Sequence, residues 1–278
     1  MPGTILFGID VESASPDSAG FVERASALFT DLGTPVTWYV TGKTLEMYPD
    51  LFREADRSPL IELQSHTYSH VLLKTVLLEP PPGMIIHGAT DFFMQRGGTA
   101  DEVDKDLERA QAVFRQVLGR PATALCGPWG YYRGLADRPD LLEIVDRHGF
   151  TILRTFGRNE RDGQPVPLEW QPRFLRVQGY PRTLEVLIHD YQDDFYWREY
   201  GSPGGDYVRH LQGIADRVAA ADLVWSLCSH DHHCATAERF ARKGAWFRAI
   251  IEYAQGLGMR FLTVSDYYRE RLQAQEGH

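Results

Sequence analysis

Two histidines stand four residues apart in HTYSH, residues 66–70, with Thr67, Tyr68 and Ser69 between them. Positions i and i+4 point the same way in a helical turn, so His66 and His70 could chelate one divalent ion. Spacing alone is a weak signal, because histidines at this distance are often surface or capping residues. The surrounding sequence strengthens it. The pair directly follows an apolar run, LIELQS, and a carboxylate pair, Asp10 and Glu12, ends another, TILFGIDVE. In an extended chain, residues i and i+2 face the same side, so both carboxylates can reach one site. Two histidines and one carboxylate form a common catalytic zinc set with an open position for water. A second carboxylate can then accept a proton from the attacking water.

Other polar groups also close apolar runs. Pro128, Trp129 and Gly130 follow TALC, His189 and Asp190 end LEVLIHD, and LVWSLCSHDHH carries His230, Asp231, His232 and His233. A histidine titrates in the neutral range and suits protonation of a leaving group. An adjacent acid would raise its pKa.

These runs need elements to hold them. Strands are expected at 4–12, 35–42, 60–65, 123–130, 150–156, 184–190 and 223–231, with RFLTVSDYY, 260–268, as a last strand and tail. Helical spacing marks 18–32, 49–56, 101–119, 141–149, 207–221 and 245–258. Gly33 and Gly119 stop two of these helices, and Pro49 suits a first turn. The alternation implies a parallel sheet. Length and order fit a (β/α) barrel better than an open doubly wound sheet, and no GxGxxG follows the first strand. Residues 71–99 and 157–182 break the rhythm and read as long loops over one end of the fold. The chain reads as a single domain, 1–278. In a parallel barrel the polar clusters would all meet at the C-terminal rim, where active sites are built.

The totals exclude several classes. The 278 residues are 43% hydrophobic and carry a net charge of −9, with no Lys/Arg-rich run. That argues against a nucleic-acid footprint and a basic membrane-surface patch. No apolar stretch is long enough for a transmembrane helix. Cys126, Cys228 and Cys234 are too few, and odd in number, for a disulfide framework. They suit a reducing compartment. The opening MPGTILFGID shows no signal-peptide pattern, so the expected location is cytoplasmic. Cys126 reads as a small core residue.

The series GIDVES, TPVTWYVTG, ELQSHTYSH, CGPWG and SLCSHD, spread over residues 4–268, resembles the polysaccharide deacetylase family, also called NodB-like or carbohydrate esterase family four. The resemblance implies a distorted (β/α) barrel of about seven parallel strands and a divalent metal, usually zinc. It also implies hydrolysis of an N-acetyl or similar amide. HTYSH matches the family's His-Ser/Thr-x-x-His, which makes His66 and His70 metal ligands. The family's adjacent acid pair is replaced by Asp10-Val11-Glu12, as in allantoinase-like relatives. There the first acid is the base and the second the ligand, so Asp10 is assigned as base and Glu12 as ligand, with the reverse left open.

The third motif, Arg-x-Pro-Tyr/Trp-Gly, keeps Pro128, Trp129 and Gly130 as substrate-binding residues. Its arginine, which orients the catalytic acid, is replaced by Cys126, and Arg133 is the residue placed to reach back in its stead. The last motif aligns His230 as the acid, with His232 and His233 as rivals and Asp190, or Asp193 beyond it, as partner. The implied substrate is a small molecule or carbohydrate, an N-acylated sugar on the way to a surface polysaccharide. A cyclic amide of the allantoin kind and an inactive glycan- or partner-binding barrel are the alternatives. Rim aromatics (Trp129, Tyr131, Tyr132, Tyr191, Phe195, Tyr196 and Trp197) would suit sugar stacking.

Overall fold

The apolar runs form strands and the amphipathic runs form helices, in alternation, in a computed structural model that describes residues 3–79, 93–193, 196 and 205–276. The strands are β1 (Thr4–Val11), β2 (Val36–Val40), β3 (Ile61–Ser65), β4 (Val76–Leu78), β5 (Phe93–Gln95), β6 (Ala124–Tyr132), β7 (Ile152–Arg158), β8 (Arg173–Leu175), β9 (Tyr180–Glu185), β10 (Val224–His230) and β11 (Arg260–Phe261). The helices are α1 (Pro16–Asp31), α2 (Gly42–Met47), α3 (Pro49–Ala55), α4 (Ala100–Leu118), α5 (Pro139–Arg147), α6 (Gly205–Ala221), α7 (Ala237–Gly256) and α8 (Val264–Glu276).

The main sheet runs β10-β1-β2-β3-β6-β7-β9-β8. Every ladder from β10 to β9 is parallel, and only β8 lies antiparallel at the end. The fold is a distorted α/β barrel with seven parallel staves. Beyond Glu185 the chain stays beside β7, with Val186 N–H donating to Leu153 at 2.7 Å and Ile188 N–H to Phe156 at 2.8 Å.

The ring closes between β9 and β10 without a regular ladder. His189 N–H donates to Ser226 O at 3.0 Å. The His189 ring does the rest: Nδ1 accepts Ser226 N–H at 3.0 Å, and Nε2 lies 2.6 Å from Trp170 O. Burial pushes the His189 pKa down to about 4, so the ring is neutral and donates from Nε2. His189 is therefore a seam residue of the barrel.

This arrangement makes stability depend on pH. An unfolded histidine takes its proton near pH 6.5, whereas the folded ring takes it only near 4. Between those values the unfolded chain binds the extra proton, so stability falls as the pH drops through that window and levels off below it. The His189 share of the loss is expected to be about 3 kcal/mol. Denaturant titrations from pH 7 to 4 on wild type and His189→Asn check it. Parallel pH curves for the two proteins would refute the assignment.

The helices coat the barrel, and the main core lies between them and the strands. A smaller cluster fills the lumen: Leu6, Tyr39, Ala124, Cys126, Ile152, Leu184, Val186, Ile188 and Cys228, closed below by Val264 and Tyr267. The closing residues belong to α8, which corrects the strand expected over 260–268. Only Arg260–Phe261 pairs, with β1. Thr263 Oγ1 then accepts Asp266 N–H at 3.1 Å and starts a helix. A side-chain cap likewise starts α7 before the expected residue 245, since Thr236 Oγ1 accepts Arg239 N–H at 3.3 Å. The two irregular segments contain strands: β4 and β5 form an antiparallel pair, and β8 returns along β9. Among the described residues no helix is long and apolar enough to cross a membrane.

Candidate metal and catalytic site

β1 delivers both acids to the C-terminal rim. Asp10 is the last lumen-facing residue in register with β10, opposite His230, and Glu12 follows one step beyond. The chain after Glu12 is clamped by buried Asp231, whose carboxylate accepts Ser13 Oγ–H at 2.6 Å, Ser13 N–H at 3.2 Å and the Ser18 hydroxyl. Asp231 N–H in turn donates to Asp10 O at 3.0 Å.

HTYSH leaves β3 as a loop, not as the helical turn expected from its spacing. Asp106 on α4 takes its amides, Tyr68 N–H at 2.6 Å and Ser69 N–H at 3.1 Å. Thr67 and His70 both adopt left-handed backbone, at φ 62° and 65°. Those reversals fold His70 back beside His66, with ring centroids 5.0 Å apart. The pair converges through a loop held by an acid, not through helical periodicity.

Both rings meet Glu12. His66 Nε2 lies 2.9 Å and His70 Nε2 3.0 Å from Glu12 Oε2. One ligand atom from each of Glu12, His66 and His70 falls within 4.8 Å of the other two. His66 is fully buried, and its Nδ1 lies 3.0 Å from Cys126 O. A proton on Nδ1 donated to that carbonyl leaves Nε2 as the ligand nitrogen, the outer contact that fixes a metal-binding tautomer. His70 Nε2 is buried yet forms no hydrogen bond of good geometry among the described residues. A buried imidazole nitrogen without a well-directed hydrogen bond, a fixed second imidazole and one carboxylate fit a divalent cation. Burial would raise the Glu12 pKa, but the charge of His70 and the close polar contacts of His232, His66 and His70 hold it well below the usual carboxylate range.

Asp10 lies beside this triad, with Oδ2 3.9 Å from His66 Nε2. Its Oδ1 accepts from the Arg154 guanidinium at 3.0 Å. Arg154 comes from β7, where it pairs in register with Cys126 of β6. Arg133 is the residue expected to reach this acid. Arg133 is instead exposed, with its guanidinium 5.0 Å from the Tyr132 ring, on a side cavity of about 390 Å³ shared with Phe156, Trp170 and Arg173. A left-handed turn at Arg133, φ 62°, carries the chain off the strand and away from the lumen.

The SHDHH alternatives separate cleanly. His230 Nδ1 lies 2.6 Å from Asp193 Oδ1, and a His230 ring nitrogen is within 4.8 Å of an Asp10 oxygen. His232 lies 3.2 Å from Glu12 Oε1 and stacks on His230 at 5.1 Å. His233 is exposed. The acid beside His230 is thus Asp193 rather than Asp190, whose Oδ2 bonds His210 on α6. A left-handed residue at Asp190, φ 59°, and its bridge to Val166 turn that carboxylate outward. Asp193 is fully buried and also accepts Ser229 Oγ–H at 2.6 Å. Burial opposes its charge, but the cations of His230 and Lys243 and its hydrogen bonds drive its pKa far down.

Pro128, Trp129 and Gly130 occupy a bulge, because β6–β7 pairing jumps from Cys126↔Arg154 to Tyr131↔Phe156. Trp129 and Gly130 have φ of 69° and 64°. A Cβ at Gly130 would lie 2.7 Å from Gly157 Cα, so only glycine fits there. Trp129 stands half-buried against Phe93, ring centroids 6.0 Å apart. Of the other expected rim aromatics, Tyr131 is core and its hydroxyl accepts Leu73 N–H at 2.7 Å. Tyr191 and Tyr196 pack with His210, and Phe195 and Trp197 lie outside the described residues.

The fold and site define an α/β barrel with a two-histidine, one-carboxylate donor set at its C-terminal rim. The polysaccharide deacetylase family model matches residues 10–152, over half of the sequence, and the chain belongs to that family. No curated protein sequence matches it. Among solved structures it is similar to one described as a polysaccharide deacetylase from Mycobacterium smegmatis, at 17% identity and TM-score 0.66, covering 99% of this chain and 91% of that one. It is also similar to the Puue allantoinase, at 14% identity and TM-score 0.63, covering 96% and 89%. A carbohydrate esterase family four pseudoenzyme from Bacillus anthracis aligns at 12% identity and TM-score 0.54, covering 96% and 66%. At these identities the likeness is one of fold.

Proposed function

We propose that the protein is a divalent-metal-dependent hydrolase that removes an acetyl or similar acyl group from the nitrogen of a sugar. Glu12, His66 and His70 would hold the metal, and zinc suits two imidazoles and a carboxylate. The observation that carries this reading is the convergence of that triad with Asp10 on one side and the Asp193–His230 pair on the other.

The metal, when bound, supplies a Lewis acid that polarises the amide carbonyl and lowers the pKa of water. Asp10 accepts the proton of the attacking water. A backbone N–H of the Trp129–Gly130 bulge would donate to the developing oxyanion. His230 donates a proton to the departing nitrogen, and Asp193 fixes its ring through Nδ1. Trp129 offers a flat face at the rim on which a sugar ring can stack.

Acetate release tests the reading. Purified protein loaded with Zn²⁺ is expected to free acetate from N-acetylated sugars or sugar nucleotides, to lose that activity on chelation and to regain it when Zn²⁺ is returned. Ring opening of cyclic ureides with no acetate release would favour the second reading, a cyclic-amide hydrolase, which the spaced acids Asp10 and Glu12 and the likeness to an allantoinase support. Failure with both substrate classes in fully metallated protein would reject both readings in favour of a binding barrel.

A further inference from the structure

The cysteine in place of the third-motif arginine leaves Asp10 without its expected partner on β6. We infer that Arg154 is the positioning residue of Asp10, supplying from β7 the guanidinium that β6 lacks. This inference rests on the hydrolase reading above.

The two strands make the exchange possible. Cys126 and Arg154 are register partners, so their side chains enter the lumen side by side at one level. Arg154 is 1% exposed, and its Nη1 reaches both Asp10 Oδ1, at 3.0 Å, and Cys126 Sγ, at 3.1 Å. Its Nη2 donates to Leu227 O at 3.3 Å on the opposite wall, and its guanidinium carbon stands 4.9 Å from the Tyr39 ring. Space comes from Gly8, two residues before Asp10 on the same face. A Cβ there would lie 2.9 Å from the guanidinium carbon. The small Cys126 side chain clears the other side.

The arrangement has a consequence for chemistry. Arg154 takes Oδ1, so Oδ2 is the oxygen turned toward His66 and the cation site. A buried guanidinium is a poor structural choice unless paired, because an apolar side chain of similar volume would avoid its desolvation. Here the pair fixes the rotamer of the one acid that must meet the attacking water. Orientation at that level carries large kinetic weight.

The test uses full-length protein loaded with Zn²⁺. Arg154→Met is expected to lower kcat by about 100-fold, with KM changed by less than about threefold and metal stoichiometry unchanged. Arg154→Ala combined with Cys126→Arg is expected to recover at least about tenfold in kcat over Arg154→Ala alone, because the second arginine enters from the position beside the first. A purely structural arginine would give no such recovery. The inference is overturned if Arg154→Met keeps kcat within about threefold of wild type. It is equally overturned if the double variant melts like wild type yet recovers nothing. Should the double variant fail to fold, the Arg154→Met kcat decides alone. A metallated wild type inactive on every acyl probe would sink the hydrolase reading instead. The Asp10–Arg154 pairing is then read from a thermal double-mutant cycle of Asp10→Asn with Arg154→Met, in which coupling supports it and additivity overturns it.

Discussion

Asp10→Asn is expected to lower kcat by about three orders of magnitude while the protein still binds one equivalent of metal. Asparagine keeps the shape of the side chain and can still contact Arg154, but its amide cannot accept the proton of the attacking water. The proposed ligand triad of Glu12, His66 and His70 does not include Asp10, whose Oδ2 lies 3.9 Å from His66 Nε2. Turnover and metal content are therefore expected to separate. Steady-state kinetics on an N-acetylated sugar, with metal analysis of the same sample, reads both. Normal turnover in the variant would remove Asp10 from the base role. Loss of metal together with turnover would exchange the parts of Asp10 and Glu12.

His66→Gln is expected to weaken metal binding by about 100-fold or more, since even outer-shell partners of metal ligands cost 10–100-fold. His66 carries the central position: it is fully buried, oriented by Cys126 O and nearest to Glu12 Oε2. Its loss leaves one imidazole and one carboxylate, too few to hold a catalytic ion against competing water. Competition titration with a chromophoric chelator measures the affinity. His233→Ala is the control, because that histidine is exposed, and its affinity should equal wild type. Equal affinities for wild type and His66→Gln would place the cation elsewhere.

The candidate residues that converge were largely legible because a parallel barrel gathers the C-terminal ends of its strands on one rim. Asp10, Glu12, His66, His70 and His230 each follow an apolar run, so period and burial alone put them at one level. Two expected residues are not brought to the cluster, for one reason. Asp190 and Arg133 each lie close in sequence to the site, yet both have left-handed backbone that carries them away from it. Asp193, only three residues on, is the acid that meets His230. Arg154 went unnoticed inside FTILRTF, although an arginine within an apolar strand must find a partner if it is buried. That was the available signal, and it identifies a buried charge without naming its counterpart.

His66 and His70 come together by a geometry other than the helical one expected from HTYSH. Four-residue spacing suggested one face of a helix, whereas the Asp106 carboxylate and two left-handed residues make the loop that brings His66 and His70 together. Side-chain capping by Thr263 likewise converted an expected strand into the helix that plugs the barrel floor.

By itself, the sequence determined the alternation of strand and helix, and with it the barrel and the rim on which the acids and histidines stand, because hydrophobic period and strand order are local properties of the chain. Only the tertiary structure decided which acid meets His230, which arginine meets Asp10 and how the barrel closes at His189. Those pairings join residues from different staves across the lumen, and they depend on strand register and on single backbone reversals that leave no periodic trace in the sequence.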